Sequence, residues 1–291
     1  MADLSSSFWL LRVWLTATAF HGESGDILWI AAAVAATFHA PLQHEVLHGH
    51  PTRSARLNEA LAFPALSVLY PYRQFKWMHL KHHNNPLLAD PYDDLEAWRM
   101  TEGDHARMSR VMRPLLGVNA TFTGRLLIGP WLGFYGFVRS DVRLIRAGDT
   151  TVREQWLLNG PALALVVAWL WSVGISPLVY PFVVVWPTHA LLAIRPYIGH
   201  RAEAAPEHCS AIVETEWSFR LLFLNTSLHA FHHERPSVPW YDLPQIYAAE
   251  HEAAVMRKGG YLVKGYLSVL RAYLFRRREP VIHPFHRRSG G

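Results

Sequence analysis

The chain has 291 residues, 51% of them hydrophobic, with 12 tryptophans and a formal charge of +5. Its basic residues flank apolar blocks, as at Lys76, Lys81 and Arg276–Arg278, which suits the rim of a membrane protein better than a nucleic-acid surface. The only cysteine, Cys209, excludes an internal disulfide, a cysteine-rich zinc site and an iron–sulfur cluster.

Taken in order, four stretches are candidates to cross a bilayer: about 8–21, 27–47, 156–173 and 177–198. The first begins FWLLRVWLTATAF, without the basic start and small-residue cleavage site of a removed signal. The connections HGESGD and SVGISP carry no Lys or Arg, whereas Arg53, Arg56, Arg73, Lys76, Lys81, Arg99, Arg139, Arg143 and the basic C-terminus lie on the other side. The positive-inside rule then places both termini and the long middle segment in the cytoplasm. The expected architecture is all-α: one membrane-embedded domain over 1–291, with four transmembrane helices in two hairpins. A cytoplasmic helical cap follows over about 49–155 and 199–291. Two shorter apolar pieces, 60–70 and 126–138, suit re-entrant or interfacial positions. The stretch 261–275 puts Leu262, Tyr266, Val269, Leu270 and Tyr273 on one helical face, fit either for an anionic leaflet or for a cytosolic core.

Eight of the 18 histidines fall into three groups: His44 and His48 in HEVLH, His79, His82 and His83 in HLKHH, and His229, His232 and His233 in HAFHH. Residues at i, i+3 and i+4 share a helical side, so each group is expected to present its imidazoles to one point. A single histidine is most simply a surface or satisfied core group. Eight rings gathered on one side would repel if protonated, and a metal that takes their neutral lone pairs resolves this. Four to six ligands complete one transition-metal ion, so eight or nine imidazoles call for two ions. Imidazole suits zinc, copper, nickel or iron alike, and the ligands alone do not choose among them.

The order and wide spacing of the three boxes resemble those of the integral-membrane fatty acid desaturase superfamily, which includes related hydroxylases and carotenoid ketolases. ADP at 89–91 and VPWYDLP at 238–244 add to the likeness, which covers about 35–245. The resemblance implies a non-haem di-iron centre, with O2 as co-substrate, held by His44, His48, His79, His82, His83, His229, His232 and His233. Family members carry a further histidine after the last membrane helix, a place that His200 fits; His50 and His208 fit it less well. The asparagine that some relatives place four residues earlier is here Pro196, so that feature does not carry over. Asn225 is a candidate outer support, as are the nearby acids Glu45, Asp90, Asp93, Asp94 and Glu234, with Asp90 and Glu234 foremost.

The chemistry implied by the resemblance is O2-dependent attack on an unactivated C–H bond, giving a double bond in a fatty acyl chain or, on the same scaffold, a hydroxylated or ketolated lipid or carotenoid. An acyl chain would run between apolar helices, with Trp29, Phe38, Phe63, Tyr70 and Trp186 as candidate lining. No cluster, haem or nucleotide motif is present, so electrons are expected from a separate ferredoxin, rubredoxin or cytochrome. Readings of a different class fit less well: a zinc-dependent membrane hydrolase uses about three ligands and leaves most of these histidines unexplained, and a metal transporter would need polar groups along a transmembrane path, whereas the clusters are expected at one end.

Overall fold

A computed structural model describes residues 2–22, 26–85, 90 and 99–285. Among them the chain is mostly helical, as an all-α fold requires. Helices α1 (Ala2–Ala19), α2 (Asp26–Leu47), α3 (Ala55–Ala62) and α4 (Tyr72–His83) are followed by three short helices, α5 (Glu102–Arg107), α6 (Met112–Asn119) and α7 (Phe122–Leu127). Then come the longer α8 (Gly129–Arg146) and α9 (Thr150–Ser172), a π-helical turn at Pro181–Val185, α10 (Trp186–Leu192) and α11 (Ile194–Gly199). The last part holds strand β1 (Ile212–Glu214), helices α12 (Trp217–Leu222), α13 (His229–Glu234), α14 (Leu243–Ala249) and α15 (His251–Arg257), strand β2 (Leu262–Lys264) and helix α16 (Tyr266–Tyr273). The strands pair in parallel, Ile212 against Leu262, and are the one departure from an all-helical chain among the described residues.

These elements form two compact units, Met1–Trp77 with Pro130–Leu192 and Met78–Gly129 with Ala193–Gly291. In the first unit α1 and α2 pack along a seam of small residues. Ala32, Ala33, Ala35 and Ala36 let the backbones approach, and Leu10, Trp14, Leu170, Tyr180 and Val184 fill around them. Tyr180 ties three segments together: its hydroxyl accepts from the Trp14 indole at 2.9 Å and donates to the Leu66 carbonyl at 2.7 Å. The buried Asp141 of α8 does the same lower down, accepting from Gln74 at 2.9 Å and Trp156 at 2.8 Å. Helix α2 stops at Leu47, and His48 lies in the closing turn, where Gly49 takes φ +97°, a left-handed conformation that closes a helix at little steric cost.

Three of the four expected spans are single helices, α1, α2 and α9, but none is long and apolar enough among the described residues to cross a membrane. Polar starts, ADLSSS in α1 and TTVREQ in α9, dilute two of them. The fourth, 177–198, is not one helix. Pro177, Pro181, Pro187 and Pro196 each remove a backbone donor, and the stretch divides into the π turn, α10 and α11. The expected helix over 261–275 is likewise divided: 262–264 is the strand β2, and Gly265 at φ +79° turns the chain into α16. Tyr266 and Val269 then face the interior of the second unit, while Leu267, Leu274 and Phe275 are exposed.

Candidate metal centre

The second unit contains seven of the nine predicted ligands. Its histidines stand on the end of α4, after α11, and on α13. Helix α13 is six residues long and amounts to little more than the box itself. It is fixed from behind by Leu228, Ala230 and Phe231, which pack with Ile212, Leu243 and Tyr247 in a buried apolar cluster. The turn before it needs two successive left-handed residues, Leu224 at φ +45° and Asn225 at φ +53°.

His82, His200, His229 and His233 each offer a ring nitrogen, and the four atoms lie within 4.8 Å of one another. The Nε2 atoms of His229 and His200 are 2.8 Å apart, and those of His233 and His229 3.2 Å. Metal–imidazole bonds of about 2.1 Å at right angles would put neighbouring nitrogens about 3 Å apart, so the set fits one transition-metal ion. His200 is also held from behind, with Ser210 Oγ 3.4 Å from its Nδ1, while the Arg195 guanidinium, 3.3 Å from His229 Nδ1, adds a positive charge that disfavours protonating that ring. Burial holds His229 and His233 well below the usual imidazole range, and the surrounding imidazoles push the same way. Both rings are therefore neutral near pH 7, the form whose lone pair a metal takes.

The same two boxes supply a second set. His79 and His83 face each other with ring centroids 4.6 Å apart, and His232 lies 5.0 Å from His83. This corrects the expectation that each box serves one point. On an α-helix i and i+4 are separated by about 40° around the axis, whereas i+3 lies about 60° to the other side. Each HxxHH box is thus divided: His79 and His83 go one way and His82 the other, while His229 and His233 are separated from His232. The stacked rings of His83 and His233, 4.1 Å apart and nearly parallel, stand where the two sets adjoin. In the first unit His44 and His48 are one turn apart near the end of α2, with ring centroids 4.9 Å apart.

The other expected residues are placed differently. Asn225 holds the turn rather than an imidazole: its amide donates to the Trp240 carbonyl at 2.9 Å and its oxygen accepts from Arg220 at 3.2 Å. Glu234 pairs with Arg257 at 2.9 Å and Lys258 at 3.0 Å, cations that hold it below the usual carboxylate range against the opposing effect of burial. Asp90 is buried, and Glu45 lies 3.8 Å from His44 Nδ1. Asp93, Asp94 and all but Asp90 of ADP 89–91 lie outside the described residues. His50 is in neither set, and His208 packs against Gly259. Sequence reading missed Arg195 and Ser210, since nothing in their local sequence marks them as neighbours of a ligand ring. It also missed His189, buried in the first unit beside Tyr70 with ring centroids 5.1 Å apart.

No curated protein matches the chain. The family model described as Fatty acid desaturase matches residues 26–264, a stretch that contains all three boxes and His200. Seven histidines folded into two sets that could each hold a metal ion, within a match that covers most of the sequence, lead to one conclusion: the chain belongs to the fatty acid desaturase family.

Proposed function

We propose that this protein is an integral-membrane, di-iron oxidoreductase that removes hydrogen from an unactivated C–H bond of a fatty acyl chain and leaves a double bond. The observation that carries the reading is the convergence of His82, His200, His229 and His233 on one point, with His79, His83 and His232 of the same boxes turned to a second. In this reading His44 and His48 are ligands too, as the resemblance of the three boxes to the family implies. Nine imidazoles exceed what one ion takes, which disfavours a zinc hydrolase. When bound, two irons supply O2 activation and the removal of hydrogen from carbon.

The chain's own part is to keep His229 and His233 neutral, to hold His200 through Ser210 at its rear nitrogen, and to keep water from the acyl chain. Tyr70, wedged among Phe134, Phe137 and His189 in the first unit, is a fitting wall for that chain. The membrane reading is supported by large apolar side chains that the first unit leaves exposed on its long helices, among them Trp9, Ile27, Ile30, Leu157 and Trp171. The distribution of Lys and Arg supports a cytoplasmic site and cytoplasmic termini. An external ferredoxin, rubredoxin or cytochrome supplies the electrons.

Two measurements test the proposal. Elemental analysis of the purified protein is expected to find two irons per chain; one zinc would overturn it. Mass spectrometry of lipids and pigments, from a host of known composition expressing the gene, is expected to show acyl chains lacking two hydrogens. Products that gain oxygen instead would move the protein to the hydroxylases or ketolases.

A further inference from the structure

His200 is the ligand with the least regular support. Helix α11 ends at Gly199, and His200 itself is extended, at φ −129° and ψ 140°. Yet the backbone around it is held group by group. Arg278 donates to the Tyr197 carbonyl at 2.7 Å, the Tyr261 hydroxyl to the Ile198 carbonyl at 3.0 Å, and the Ala211 amide to the Gly199 carbonyl at 2.8 Å. Arg99 donates to the carbonyl of His200 itself at 3.2 Å, and the Ala202 amide donates to Glu279 at 3.1 Å.

Four of these five contacts lead to one carboxylate. Glu279 pairs with Arg99 through Oε2 and with Arg278 through Oε1 at 2.8 Å, and Arg278 also donates to the Tyr261 hydroxyl. The Arg99 side chain is 1% exposed and that of Glu279 13%. The two ends of the clamp come from distant parts of the sequence and are stitched together beside it. The Met100 amide donates to the Val281 carbonyl at 2.9 Å, and the His283 amide to the Met100 carbonyl at 3.0 Å. Burying two guanidiniums and a carboxylate costs desolvation that apolar side chains would avoid, so its return here is geometric.

We propose that Arg99, Glu279 and Arg278 are positioning residues that fix the backbone at His200 and so determine whether the His82, His200, His229 and His233 set binds its ion. The inference rests on the metal-centre reading above. Replacing an outer support of a metal ligand typically weakens binding by roughly 10- to 100-fold. The test is a titration of the full-length, metal-stripped protein with Co(II) alone, followed by its visible absorption, with a thermal melt of each variant.

The wild type is expected to take up two ions. Glu279→Gln keeps one acceptor but cannot serve both guanidiniums, and it is expected to weaken one ion by roughly 10- to 100-fold and leave the other unchanged. Its remaining spectrum should match that of His200→Ala, and the two substitutions together should cost no more than His200→Ala alone. Arg99→Lys, which retains the buried cation but not the fork, should give the same loss and provides a second arm if Glu279→Gln folds poorly. A variant pair that binds both ions as tightly as the wild type overturns this inference alone. So does loss of both ions in step with the melt, which is what a merely structural role would give. A wild type that binds fewer than two ions overturns the metal-centre reading, and this inference with it.

Discussion

The metal-free protein should lose stability on mild acidification, and two histidines contribute a part that can be isolated. His229 and His233 are held well below the usual imidazole range by burial first and by neighbouring imidazoles second. In the unfolded chain the same rings return to about 6.5. For a base depressed in the folded state, the unfolded state binds more protons below that value, so stability is full above about pH 7 and falls as the pH drops through 6.5. At pH 5.5 each unfolded ring is protonated roughly ten to one, which favours unfolding by up to roughly 3 kcal/mol for the pair. In a chain of this size that corresponds to roughly 5–10 °C in melting temperature. The assay is a set of thermal melts of chelator-treated protein from pH 7.5 to 5.5, beside a His229→Gln, His233→Gln double variant that cannot titrate at either position. The difference in slope between the two proteins is the quantity predicted. If the double variant falls as steeply as the wild type, the two rings are not held neutral and the reasoning fails.

Three further outcomes follow from the packing. Tyr180→Phe strands the Trp14 indole and the Leu66 carbonyl, both buried, and should cost about 2–3 kcal/mol by denaturant midpoint. Asp141→Ala leaves Gln74 and Trp156 without their acceptor and should cost about 2–4 kcal/mol, whereas Asp141→Asn, after a flip of the Gln74 amide, should cost about 1 kcal/mol; equal losses would refute the network. Val68 sits at φ +53°, strained for a β-branched residue, so Val68→Gly should relieve about 1–2 kcal/mol and come out near neutral in a melt, despite the apolar contact it gives up.

How much of this was legible in the sequence depended on the distance over which each feature is encoded. The imidazoles were legible because their spacing is a property of one helical turn. Their division was latent in the same spacing: 3.6 residues per turn already separates His82 from His79 and His83, and His232 from His229 and His233. What the boxes lack is any mark of which partner each side will meet. Helices α1, α2 and α9 show in the sequence as interrupted apolar blocks, and 177–198 looks like a fourth because hydropathy does not register the backbone donors that its prolines remove. Proximity in sequence makes Asn225 and Glu234 candidates to support ligand rings, yet one stabilises a left-handed turn and the other pairs with two cations. Local rules thus mark the histidines but not what holds them. Arg99 and Glu279 are 180 residues apart and carry no motif, so only the folded chain reveals that the carbonyl of His200 depends on them. It follows that a search for relatives by the histidine boxes alone would retain chains that have lost this clamp. The sharper criterion for an intact His200 position is an Arg–Glu pair joining the segment after the second box to the C-terminal tail.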